Sequence, residues 1–406
     1  MNCKKLATVV ILIFTRYACS AEPTEIPVDV VAVAKSGNEF ATDLYARLAS
    51  EKSANLFFSP YSISTALAMT YAGAKGQTEV QMAKVLHFPV PQAELHPALH
   101  KLNALLNSTE KTPGFEFRIA NRLWGQKGFQ FLPEFVQVTK SNYGAELGLL
   151  DFKKSDAARQ TINSWIETQT DRKIQDLIAP GVLDDKTRLV LTNAIYFKAR
   201  WRREFNDRAT TDAPFHATGS QQVMVPMMYQ SNRFRYGESE NVQVLELPYD
   251  DGGKVSMLIL LPKKIVGLGE LEQRLTNEDL RMWSSGLKSR DVNVHLPKFK
   301  MTSEFDLGDV LKKMGMPLAF SDGADFSGMS TGMQLFISAV IHKAFVELNE
   351  EGTEAAAATA IRVEATSLTI PQTPVEFRAD HPFVFLIRDN GTQSVLFLGR
   401  LVNPKR

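Results

Sequence analysis

Seven histidines supply every imidazole base this chain has: His87, His96, His100, His216, His295, His342 and His381. With the serines and aspartates around them they permit a Ser-His-Asp relay on paper, in which an imidazole deprotonates a hydroxyl nucleophile. The G-x-S-x-G spacing occurs once, at Gly328-Met-Ser-Thr-Gly332, in a turn-rich stretch without the strand before it and the helix after it that a nucleophile elbow needs, and no H-E-x-x-H pair holds a metal. Neither a G-x-x-x-x-G-K-[ST] phosphate loop nor a dinucleotide fingerprint occurs. Asp325-Phe326-Ser327-Gly328 matches no catalytic motif either. The histidines read as surface or satisfied core residues, and the chain does not read as an enzyme.

The stretch from Glu350 to Pro374, EEGTEAAAATAIRVEATSLTIPQTP, is the unusual one. Its alanines favour a helix locally. Its period favours a strand. The odd positions read Thr353, Ala355, Ala357, Thr359, Ile361, Val363 and Ala365; the even positions read Glu354, Ala356, Ala358, Ala360, Arg362, Glu364 and Thr366. All the charges fall on the even face, and the β-branched apolar residues fall on the odd one. Small residues near the start can slide between neighbouring strands at little steric cost. Pro371 and Pro374 bar a continuous central strand beyond them. A loop able to become a strand fits this pattern; by pattern alone, an Ala-rich surface helix followed by a linker stays open.

The elements that must position this stretch belong to an ordinary globular composition of 406 residues, 44% hydrophobic and 22% charged. A net charge of +1 demands neither nucleic acid nor a membrane as partner. Phe40, Leu44 and Leu48 mark one helix face. Ser59-Pro60 reads as an N-cap and first helical residue, opening a helix through Ile63 and Leu67 that stops near Gly73. Leu189 to Phe197 and Val255 to Leu261 read as buried strands, and Val292, Val294 and Leu296 as a half-buried one. The class is α+β, in one domain.

The N-terminus carries Lys4 and Lys5, an apolar run from Leu6 to Phe14, and the small residues Ser20 and Ala21 after Cys19. This predicts an export signal over residues 1–21. The run is shorter than the ~20 residues a spanning helix needs. A buried strand is the competing reading, and a lipid anchor through Cys19 is disfavoured by Arg16 and Tyr17. Both cysteines, Cys3 and Cys19, would leave with the signal. The mature chain, residues 22–406, is then expected in the extracellular space (or a periplasm, for a bacterial source) without disulfides, thiol catalysis or cysteine-bound zinc.

Several blocks resemble one family. Asn55-Leu-Phe-Phe-Ser-Pro60, continued by Tyr61-Ser-Ile-Ser-Thr-Ala-Leu-Ala-Met, is similar to the opening signature of the serpins. Asn121-Arg-Leu-Trp124 and Leu191-Thr-Asn-Ala-Ile-Tyr-Phe-Lys-Ala-Arg-Trp201 resemble two further blocks. Glu347 to Thr359 resembles the hinge of the serpin reactive loop, and Asp380 to Ile387 with Phe397 to Arg400 the C-terminal strands. The blocks come in family order and cover nearly all of residues 30–404.

The resemblance implies a single serpin domain with three β-sheets, about nine helices and an exposed reactive-centre loop near residues 350–374. It implies a suicide substrate: a serine protease cuts the loop, and the loop then inserts into the main sheet with the acyl-enzyme attached. The expected partner is a target serine protease in a covalent 1:1 complex, with some cysteine proteases as further targets. A monomer without cofactor is expected. The implied hinge is Glu350, Glu351, Gly352, Thr353, Glu354, Ala355, Ala356, Ala357, Ala358 and Thr359, with Thr353 opening the inserting face. Counting from Gly352 places the cut between Thr366 and Ser367, with Ala365 or Leu368 as register alternatives and Arg362 as a minor site. Thr366 suits elastase-like or subtilisin-like pockets. Ser59, Ser62, Asn193 and His342 correspond to the family's shutter, where the sheet must part, and Trp201 to its breach, where insertion starts. Asn107 and Asn390 head glycosylation sequons. A non-inhibitory serpin, acting as carrier, store or chaperone, is the rival; the small, uncharged inserting face argues against it.

Overall fold

The computed structural model describes residues 26–107, 115–249, 252–332, 334–353 and 373–405. Among them are nine α-helices: α1 (Val28–Glu51), α2 (Pro60–Tyr71), α3 (Gly76–Val85), α4 (Gln92–Asn107), α5 (Pro133–Tyr143), α6 (Ser155–Gln169), α7 (Leu268–Gln273), α8 (Asn277–Ser285) and α9 (Gly308–Met314). The strands in the first half are β1 (Leu56–Phe58), β2 (Phe115–Gln126), β3 (Gly148–Leu150) and β4 (Leu189–Arg200). They continue with β5 (Thr211–His216), β6 (Gln222–Glu238), β7 (Val242–Pro248), β8 (Val255–Pro262), β9 (Lys288–Pro297) and β10 (Phe299–Asp306). The last are β11 (Ile337–Leu348), β12 (Gly352–Thr353), β13 (Val375–Arg378), β14 (Phe383–Asp389) and β15 (Val395–Leu401).

Hydrogen bonding joins the described strands into two sheets. The main sheet has six strands in the order β10-β11-β12-β4-β2-β3, and β11 also pairs β4 directly. The other has nine, in the order β1-β15-β14-β8-β7-β6-β9-β13, with β5 alongside β6. Three sheets are expected, and β6 explains the count. Its 17 residues pair β5 near their start and β7 near their end, with β9 spanning both, so one long strand fuses two sheets.

The elements follow from local chemistry. The side chain of Ser59 caps α2 by accepting from the Ser62 N–H at 3.2 Å, and Pro60 opens the helix. All twelve residues of α2 are buried, because the helix runs between the sheets. The apolar run of β4 is buried on both faces. Leu191, Ile195 and Phe197 join the main core, whereas Val190 and Ala194 join a smaller cluster with Ile162 and Ile166 of α6. The helix α6 therefore covers the outer face of the main sheet.

Candidate functional site: a seam closed below and open at its top

The strands β4 and β11 run parallel and are paired from Leu189↔Ile337 to Tyr196↔Phe345. Above that point they part, and β12 enters antiparallel to both: Gly352 faces Arg200, and Thr353 faces Ala199 on one side and Leu348 on the other. The body of the seam thus holds no third strand, while its top already holds two residues of one. Gly352 is required there. Its φ is 154°, and a Cβ would collide with the Ala199 carbonyl.

The reversal between β11 and β12 is built by Asn349. Its Oδ1 accepts from the N–H groups of Glu351 (3.1 Å) and Gly352 (3.2 Å), and its own N–H donates to the Gly352 carbonyl at 2.9 Å. Trp201 clamps the turn: its backbone N–H donates to the Glu351 carbonyl at 2.8 Å, and its Nε1–H to the Asn349 carbonyl at 3.1 Å. The Trp201 ring stacks on Tyr249 at 4.6 Å and 8°. Thr353 is fully buried, with Oγ1 2.8 Å from the Tyr249 hydroxyl.

Glu350 ties the hinge to the neighbouring strands. Its carboxylate pairs with Lys298 Nζ at 2.7 Å and accepts from Thr210 Oγ1 at 2.8 Å. Burial pushes its pKa up, but the bonds from Lys298 and Thr210 outweigh that and hold it below the ordinary carboxylate value.

Lower in the seam, Ser59, Ser62, Asn193 and His342 form one buried network. The Ser59 N–H donates to His342 Nε2 at 3.2 Å, so the ring proton sits on Nδ1 and is donated to Asn193 Oδ1. The Asn193 amide donates to Ser62 Oγ at 2.5 Å and to Asn121 Oδ1. Ser59 Oγ donates to the Leu396 carbonyl at 2.6 Å. His342 and Asn193 face each other across the seam, so parting β4 from β11 breaks their bond. Burial lowers the His342 pKa to about 3 and keeps the ring neutral.

Four participants escaped sequence reasoning: Asn121, Tyr249, Lys298 and Asn349. Asn349 carried a signal, an asparagine three residues before a glycine at a strand end. Asn121 heads a recognised block, whereas Tyr249 and Lys298 lie far along the chain from the hinge and carried none. Two further histidines serve structure. His381 uses both nitrogens, on Asp380 and on the Pro262 carbonyl, leaving none for a nucleophile. His96 is buried against the Tyr143 hydroxyl at 2.6 Å, with a pKa lowered by burial to about 4. No group of three or more metal-ligating side chains occurs among the described residues. In the 325–328 segment, Gly328 packs on the backbone of Gly73.

Several expected positions lie outside the described residues: the signal over 1–21, Glu354 to Thr359, the Thr366–Ser367 bond, and the Ser108 and Thr109 of the first sequon. Asn107 ends α4. Asn390 sits in the turn after β14, where its Nδ2 donates to the Gly253 carbonyl at 2.9 Å and its Oδ1 accepts from Ser256 at 2.8 Å.

A family model described as Serpin (serine protease inhibitor) matches residues 35–404. The leukocyte elastase inhibitor of Sus scrofa is 46% identical over 379 residues, covering 91% of this chain and 98% of its own. The protein of the same name from Xenopus laevis is 45% identical over 374 residues, covering 90% and 97%. Among solved structures, uncleaved ovalbumin is similar at a TM-score of 0.82 and 36% identity, covering 92% of this chain and all of its own. Serpin48 of the insect Tenebrio molitor, titled a highly specific serpin, is similar at 0.80 and 34%, covering 91% and 98%.

Proposed function

The chain belongs to the serpin family, and from that premise we propose that it traps its protease by drawing the reactive loop into the seam between β4 and β11. The protein is a serine protease inhibitor and not an enzyme; the protease brings the nucleophile and base, and the inhibitor brings the bait.

The pairing of β12 carries this reading. Continuing Gly352↔Arg200 and Thr353↔Ala199 residue by residue sets Glu354 opposite Lys198 and Val363 opposite Leu189, where β4 begins. The odd residues then share the face of Ala199, Phe197 and Ile195, which lines the main core. The even residues take the other face, and Glu354 meets a lysine. About ten further residues at ~3.3 Å each carry the tethered enzyme roughly 33 Å. Each inserted residue exchanges one β4–β11 ladder for two, and apolar side chains leave water. The same register supports a cut near Thr366–Ser367, because a cut after Arg362 ends the insert short of Leu189.

Targets with shallow, elastase-like or subtilisin-like pockets are supported by the small Thr366 and by relatives named leukocyte elastase inhibitors. The complex is covalent and 1:1, the inhibitor acts as a monomer, and some cysteine proteases are further targets because they too pass through an acyl-enzyme. Residues 1–21 are an export signal, and the serpin domain of residues 22–406 works outside the cell; the charged start and apolar run support this.

Incubation with a protease panel tests the reading. A band stable in SDS, with a released C-terminal peptide beginning at Ser367, is expected. Cleavage by every protease without any such band would refute it. Mass analysis of protein from the culture medium tests export, with Glu22 as the expected first residue.

A further inference from the structure

Insertion needs a first step, and the structure shows what receives it. Thr353 stands in the sheet with its side chain fully buried. A threonine there presents an apolar methyl to the core and a hydroxyl that must find a partner. The Tyr249 hydroxyl lies 2.8 Å away, and Tyr249 is itself fully buried. Its ring is fixed on two sides, stacked on Trp201 at 4.6 Å and edge-on to Phe197 at 5.2 Å. Its backbone N–H is held by the Val255 carbonyl at 3.1 Å. Trp201 therefore grips the hinge backbone, while Tyr249 presents a rigid hydroxyl to the first inserting side chain.

We propose that Tyr249 is a positioning residue for trapping: its hydroxyl docks Thr353 at the top of the seam, so that insertion starts from a strand already seeded and outruns deacylation. This rests on the trapping reading above. In the acyl-enzyme the loop either propagates down the seam or is released as cleaved substrate. A docked Thr353 has its backbone and side chain already placed, so each next residue extends an existing ladder. An undocked hinge must first find the gap and desolvate a hydroxyl there. The docking post ranks side chains at position 353: threonine and serine complete the pair, whereas valine strands the Tyr249 hydroxyl.

The test is the stoichiometry of inhibition against pancreatic elastase, with the rate of loop cleavage measured alongside. Tyr249→Phe and Thr353→Val each remove one hydroxyl. Each is expected to raise the partition ratio, the stoichiometry minus one, about five-fold, the effect of one lost hydrogen bond, without slowing cleavage. The double variant, with neither hydroxyl left unpaired, is expected well below the product of the two effects. Thr353→Ser is expected to stay near wild type, and it carries the test with Thr353→Val if Tyr249→Phe does not fold. Unchanged stoichiometry in Thr353→Val, or effects that simply multiply in the double variant, would overturn the assignment. Failure of the wild-type protein itself to form an adduct would instead refute the trapping reading.

Discussion

The sharpest consequence of the seam's chemistry is its response to acid. His342 accepts the Ser59 N–H on Nε2, so a second proton would point a donor at a donor. Its partners are serines and asparagines, with no carboxylate to stabilise a cation. Burial holds its folded pKa near 3, against about 6.5 for an unfolded histidine. The unfolded chain therefore takes up the proton first. The contribution is fully present above about pH 6.5 and falls as pH drops towards 3, by about 1.4 kcal/mol per unit. At pH 5 the loss is about 2 kcal/mol. His96, held near pKa 4, adds a loss of similar size by the same sign. Urea unfolding between pH 5 and 8 measures the slope. His342→Gln keeps an acceptor for Ser59 and a donor for Asn193 while removing the titration. It is expected to lose up to half of the wild-type slope between pH 6 and 5, with His96 and His295, both lowered by burial, carrying slope of the same sign. An unchanged slope in His342→Gln would refute the neutral, Nδ1-protonated assignment.

Three further outcomes are expected. Lys298→Met removes the cation from the Glu350 carboxylate while the Thr210 bond remains, and with Lys298 partly exposed it should lower stability by about 1 kcal/mol or less, read as an earlier thermal transition. Thr353→Arg puts an unpaired cation between Ala199 and Leu348, costs several kcal/mol and should convert the inhibitor into a substrate; normal stoichiometry in that variant would contradict the inserted-face assignment. Elastase should be trapped faster than trypsin because Thr366 leaves an acidic pocket base unpaired, whereas faster trapping of trypsin with cleavage after Arg362 would show the bait misplaced.

Much of the scaffold was legible. Mostly apolar runs marked β4 and β8 because both are buried on two faces, and the Ser59-Pro60 pair marked the start of α2 because its capping chemistry is local. Of the hinge's strand period, the described residues hold only Gly352 and Thr353, which form β12; the rest lies outside them. The partners of the hinge were not legible. Tyr249 precedes Thr353 by 104 positions, and only the sheet order brings them together. Asn121 sat in a recognised block, but its bond to Asn193 depends on the β2–β4 register. The fusion of two sheets was hidden because nothing in the composition of β6 tells one long strand from two short ones.

The central claim is that the seam between β4 and β11 opens to take the loop. Locking that seam tests it directly. Removal of residues 1–21 leaves a chain with no cysteine, so a pair at Ala344→Cys and Ile195→Cys, facing positions across the seam, would be its only thiols. Elastase should cleave the oxidised protein without forming an SDS-stable adduct, and reduction should restore the adduct. A full yield of adduct from the oxidised, locked protein would contradict insertion between these strands.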